Sequence, residues 1–305
     1  MRLLRLAAAL AALMAPPMIA QASDAQIESA RAAAAPYGDF AAAKRAGWKP
    51  FGDAAPLMGR HYFHPGNPDY LPGEAVDPGR PSNLLYAKIG GRQVLVGLAF
   101  NWRLGAGDAL PEGFTGARDV FHVHDVARFV AAVTEDRPLL RAAARLFVAP
   151  QFDGDDGVRR DRLAMVHVWT IPNPDGPFAS HNRALPFLRL GLPYDWAVGA
   201  SDEAALGLAL ATDGGCQMEA GVKAWIGDLP RRAKRDLMAA CERSATHVRA
   251  RLGTREAALR AGEEAWLAYA YERRRILTPE QKRRIGAVAE PGPGITVACE
   301  FTGAV

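Results

Sequence analysis

Three cysteines in 305 residues leave this chain little sulfur chemistry. None of them forms a C-x-x-C pair, so neither a thioredoxin-like redox site nor a zinc ribbon is on offer. The chain also lacks G-x-S-x-G, H-E-x-x-H, the phosphate-cradling G-x-x-x-x-G-K-S/T and the dinucleotide-binding G-x-G-x-x-G, which removes the commonest local signatures of hydrolases, zincins and nucleotide enzymes. A large charge of one sign is missing too. The formal net charge is +4, too mild for an electrostatic footprint on nucleic acid. Beyond the first residues no apolar run is long enough to span a bilayer.

The start of the chain, "MRLLRLAAALAALMAPPMIAQAS", has the layout of a secretory signal peptide: Arg2 and Arg5, an apolar run, then Ala20-Gln21-Ala22 as a cleavage site. Pro16 and Pro17 interrupt the run, which argues against a membrane anchor. Removing residues 1–22 lowers the count of Lys and Arg from 37 to 35 against 33 acids. The expected address is periplasmic or secreted, with no transmembrane anchor after processing and no nucleic-acid partner; the sequence names no protein partner. An oxidising compartment permits a disulfide. Cys216 and Cys241 share one helical region and are the expected pair, worth roughly 3 kcal/mol through loop closure. Cys299 is left over.

Two textures follow. Residues 24–46 are alanine-rich and helical. From Gly47 to about Ala200, Gly, Pro, Asn and Asp punctuate short apolar runs such as "LLYAKI", "RQVLVGLAF", "FHVHDV" and "LAMVHVWTI", the pattern of strands, with Gly90-Gly91 as a hairpin turn. Within this part "VARFVAAVTEDRPLLRAAARLFV" is helical and broken at Pro138. From Ser201 helical periodicity returns, with Ser201, Thr254 and Thr278-Pro279-Glu280-Gln281 as helix starts. "GITVACEF" reads as a closing strand. The expected organisation is an α+β chain: a β-rich, barrel- or sandwich-like domain over 23–200, a helical region over 201–290, and a strand or tail over 291–305.

Six of the seven histidines fall in the β-textured part. His122 and His124 stand at i and i+2, so a strand would aim both at one face, about 6.6–6.8 Å apart. His167 sits at the middle of "LAMVHVWTI", where Met165, His167 and Trp169 share a face. His61 and His64 lie in "MGRHYFHPG". Alone, H-x-H is better explained by two solvated or singly hydrogen-bonded imidazoles. With His61 and His167 added, a shared ion becomes the economical reading, because histidine is the commonest metal ligand. All-imidazole donors suit copper or zinc ahead of iron or nickel. The expected ligands are His61, His122, His124 and His167. Asp119, Asp125, Tyr62, Trp169 and His181 are candidates for the surrounding shell or rim, where carboxylates would orient imidazoles.

Several segments carry a resemblance. "PLMGRHYFHPG", "VDPGRPSNLLYAKIGGRQVLVGLAF" and "HVWTIPNPDGPFASHN" resemble a family of secreted bacterial proteins with M-G-x-H-Y, D-P…R-P…L-L-Y and H-x-W…N-P-x-G-x-F-A segments. Matching positions include Met58, Gly59, His61, Tyr62, Tyr86, His167, Trp169, Asn173 and Phe178. The likeness spans about residues 30–185 and implies that these segments form one unit; it implies no reaction. Where an acidic residue is expected in many relatives, this chain has Leu98-Ala99-Phe100. Cupins supply an analogy of site geometry, with H-x-H on one strand and a later His on another. However, no Glu follows His124 at the cupin interval. The functional expectation is an exported metal-binding protein of copper or zinc homeostasis, with two alternatives: a mononuclear metalloenzyme, hydrolytic or oxidative, and a metal-free protein-interaction module of the periplasm.

Overall fold

The computed structural model describes residues 18–67, 69–114 and 121–289. The expected signal peptide therefore lies mostly outside the described residues, as do Asp119, Cys299 and the expected closing strand. The elements run in the order α1 (Met18–Ala34), α2 (Phe40–Arg45), β1 (Lys49–Ala55), β2 (Gly59–Phe63), β3 (Asn83–Ile89), β4 (Arg92–Leu104), β5 (His122–Asp125), α3 (Val126–Thr134), α4 (Pro138–Phe147), β6 (Arg162–Trp169), α5 (Ala184–Arg189), α6 (Asp202–Leu210), α7 (Gly215–Ile226), α8 (Arg231–Arg249), α9 (Arg255–Ile276) and α10 (Pro279–Ala289).

The strands make one antiparallel sheet in the order β1-β2-β3-β4-β6-β5. Among the described residues the sheet runs from β1 at one edge to β5 at the other, so the chain is α+β; neither the expected barrel nor the expected two-sheet sandwich is seen among them. Gly90 and Gly91 turn β3 into β4 at φ of 57° and 79°, the left-handed pair that a two-residue hairpin matching strand twist requires.

Alternation splits the sheet into two buried faces. Leu84, Tyr86, Leu98, Phe100, Trp102, Val166 and Val168 pack against α1 and α2 through Ile27, Ala30 and Phe40. Leu85, Val96, Ala99, Met165 and Trp169 face the other way, toward Leu185 of α5. A double-sided burial of this kind explains why β4 and β6 read as near-continuous apolar runs. Arg31 on α1 donates to the Trp169 carbonyl from Nη2 at 3.0 Å, tying the first helix to the end of β6.

The helical region repeats the sequence's start signals. Ser201 caps α6 by accepting from the Ala204 amide, and Thr254 caps α9 by accepting from the Ala257 amide. Thr278 and Gln281 exchange reciprocal side-chain bonds at 3.0 and 3.2 Å, closing a capping box. Cys216 of α7 and Cys241 of α8 are joined in a disulfide. A buried Glu219–Arg273 ion pair at 3.4 Å links α7 to α9. The core of this region also takes in Leu57, Ala184, Phe187 and Ala197 from the preceding part. One hydrophobic cluster thus includes residues from both sides of residue 200.

Candidate functional site

β5 lies at the sheet edge and pairs only with β6: His122 opposes Met165 and His124 opposes Leu163. That register puts His122 on the face of Met165, His167 and Trp169. On β4 the same face carries Gly97 and Ala99, opposite Trp169 and His167 respectively. These two small residues leave room above the middle of the sheet. His61, on β2, reaches over that room from the far side.

The four expected rings lie in a chain of neighbours, His124–His122–His167–His61. Ring centroids stand 4.9 Å apart for His122–His167, 5.0 Å for His122–His124 and 5.7 Å for His61–His167. Two imidazoles bound to one tetrahedral ion at N–Zn distances of ~2.0–2.1 Å place their centroids about 5 Å apart. The rings are tilted or edge-to-face, and among the described residues no group of three or more His, Cys, Asp or Glu side chains is placed to hold a metal ion.

His122 and His167 are fully buried. His61 Nε2, both ring nitrogens of His122 and His167 Nε2 are shut away from solvent with no hydrogen-bond partner in the protein. Each such atom costs about 1–3 kcal/mol if nothing satisfies it. Burial also keeps the rings neutral. It pushes the His61 and His124 imidazoles down to about 4, with His124 adding to the effect on His61. It holds His122 and His167 well below the ordinary histidine value, reinforced at His122 first by His167 and at His167 first by His61.

The loop between β6 and α5, "IPNPDGPFASHN", orients the central ring. His167 Nδ1 donates to the Ser180 carbonyl at 2.6 Å, and Trp169 Nε1 donates to the preceding Ala179 carbonyl at 2.7 Å. The loop is held in turn by Asn182, whose amide nitrogens donate to the Leu57 and Pro172 carbonyls at 2.8 and 3.0 Å. With Nδ1 committed as a donor, the neutral His167 presents its Nε2 lone pair. This is the outer-shell arrangement common to metal-ligating histidines.

The residues expected around the ligands divide. Trp169 is buried against His167, 5.6 Å between centroids. His181 sits at the rim, its Nε2 3.5 Å from Asp202 Oδ1, and it is close enough for its charge to oppose protonation of His122 and His167. Tyr62 is on the opposite face, edge-on to Phe40 and Tyr86; strand alternation next to His61 dictates that, and it takes no part in the site. Asp125 is the cap of α3, accepting from the Arg128 amide at 2.8 Å. Asp119 lies outside the described residues. His64 closes a local turn through Ala46 and Gly66, and His247 pairs with Glu264 on the helical surface at 2.8 Å.

Two contributors went unnoticed in the sequence. The Ser180 carbonyl is backbone and carries no residue signal. Gly97 and Ala99 matter for what they lack, and "VGLAF" reads simply as an apolar strand. No family model, curated protein or solved structure matches the chain.

Proposed function

We propose that this is an exported metal-binding protein whose ion is held by His61, His122, His124 and His167, with copper or zinc as the favoured metals. The observation that carries the reading is the set of buried, partnerless imidazole nitrogens on three converging rings. Native proteins rarely leave buried polar atoms unsatisfied, and one ion would satisfy several at once. Neutral rings are also the form that binds a metal. The leader-like start of the sequence and the Cys216–Cys241 disulfide support a periplasmic or secreted address. Among the described residues no helix is long and apolar enough to cross a membrane.

A mononuclear metalloenzyme is the second reading. The observation favouring it is the His181–Asp202 pair at the rim, an imidazole–carboxylate couple of the kind that moves protons beside a reacting group. The test of the first reading is elemental analysis of untagged protein purified from the exported fraction, followed by titration of chelated protein with Zn²⁺ and with copper. A stoichiometric ion lost on His122→Ala supports it. A protein that carries no metal and takes up none refutes it and leaves the interaction-module reading.

A further inference from the structure

A second site lies on the other side of α3. A cavity of about 620 Å³ opens between α3, α4, the turn after α4 and α10, within the range of small-molecule sites. Its floor is apolar: Val126, Val130, Ala144, Val148 and Phe152. Its rim is cationic. Arg159, Arg283 and Arg284 line it but are neutralised: Arg159 by Asp161 at 2.6 Å, Arg283 by Glu135 at 2.9 Å and Glu280 at 2.7 Å, and Arg284 by Glu280 and Asp136.

Arg141 and Arg145 differ. They stand at i and i+4 on α4, so one helix face carries both over the cavity. Arg141 Nη2 reaches the Thr134 carbonyl at 3.1 Å and the Glu135 carbonyl. Among the described residues no carboxylate pairs with either guanidinium. The orientation of α4 sharpens this. Leu139, Leu146 and Phe147 are 86, 69 and 70% exposed, so the helix turns its apolar side to solvent and its two arginines to the cavity. Hydrophobic burial alone would have rotated it the other way.

We infer that this cavity binds an organic carboxylate with an apolar body, its head group taken by Arg141 and Arg145 and its chain laid on the floor formed by α3, α4 and Phe152. A planar guanidinium matches a carboxylate bidentately, and an apolar floor discriminates against small inorganic anions. The site shares no ligand with the histidine cluster.

The probe is decanoate, titrated calorimetrically into the full chain with a chelator present, so that metal binding plays no part. Saturable one-to-one binding is expected, about tenfold tighter than for decan-1-ol, with decyltrimethylammonium not binding. Arg141→Gln and Arg145→Gln should each weaken decanoate about tenfold, the loss of one charge-assisted contact, and leave decan-1-ol unchanged. Both arginines are exposed, so near-ultraviolet circular dichroism should match the parent. Ala131→Trp, which fills the cavity without touching charge, should abolish binding of both. The inference is overturned if the full chain shows no saturable decanoate binding, if decanoate and decan-1-ol bind alike, or if decanoate binding survives in the three variants unchanged.

Discussion

His167 and Ser180, thirteen residues apart, are joined by a 2.6 Å bond from the imidazole Nδ1 to the Ser180 carbonyl. That bond selects the tautomer and leaves Nε2 as the lone-pair nitrogen, buried and without a hydrogen-bond partner in the protein. A loop of turn-forming residues therefore governs the chemistry of a ring on a buried strand. His122→Ala, His124→Ala and His167→Ala should each weaken metal binding at least about tenfold, the scale seen on losing even an outer-shell partner. His247→Ala, which loses a surface pairing with Glu264 far along the chain from the cluster, should leave it unchanged. Competition titration against a chromophoric chelator measures this. Equal affinities for the parent and His167→Ala would remove the cluster from consideration as a metal centre.

Acid should find the same cluster. In the unfolded chain the histidines titrate near ~6.5, whereas burial holds His61 and His124 to about 4 in the fold. Between these values the unfolded chain takes up protons that the folded one refuses, so stability is full above about 6.5 and falls as the pH drops through the window. The upper bound is about 3 kcal/mol for each of the two histidines, reduced because both rings reach the surface in part. Urea midpoints of chelated protein should fall steadily from pH 7 to pH 4, and His124→Gln should flatten the slope. A slope unchanged by that substitution would place the acid sensitivity elsewhere.

The sequence spoke clearly where side-chain chemistry is local. Ser201, Thr254 and Thr278 cap the helices that follow them because a hydroxyl three residues before an amide needs no tertiary help. Gly90-Gly91 turns because both positions need positive φ. His122 and His124 could be placed on one face from a period of two. What stayed hidden depends on distant partners. Nothing near Lys49 or Asp125 marks β1 and β5 as the two ends of the strand order, because strand pairing is set by distant partners. Asp125 looked like an outer ligand because it follows His124, but the helix that starts at Val126 claims its carboxylate first. Tyr62 follows His61 directly in the chain, and in a strand that places it on the opposite face.

The disulfide makes a prediction independent of the histidines. Cys216 and Cys241 close a loop with a sequence separation of 25 between α7 and α8, worth roughly 3 kcal/mol by loop-closure entropy. Cys216→Ala with Cys241→Ala should lower the thermal midpoint by several degrees and leave metal stoichiometry intact. A thiol count on denatured, unreduced protein should find a pair missing relative to the reduced sample. A full complement of free thiols would show that the bond does not form.

A close helix crossing supplies the last test. α6 and α9 meet at Gly207 and Gly262. A Cβ built on Gly207 would stand 1.8 Å from the Gly262 carbonyl oxygen, and one on Gly262 would stand 2.5 Å from the Ala204 carbonyl oxygen. Both obstacles are backbone, so no side chain can swing aside; the helices themselves must separate. Helix propensity pulls the other way, since Gly→Ala inside a helix ordinarily stabilises by up to about 1 kcal/mol. The steric term should win, because overpacking costs about 1–3 kcal/mol even where side chains can adjust. Gly207→Ala and Gly262→Ala should each lower the urea midpoint. Gly221→Ala, on α7 with nothing within 4 Å of the added carbon, should raise it slightly. If Gly207→Ala were as stable as Gly221→Ala, the two helices could not cross as closely as this, and the position of the whole α6–α9 pair against the sheet would have to change with them.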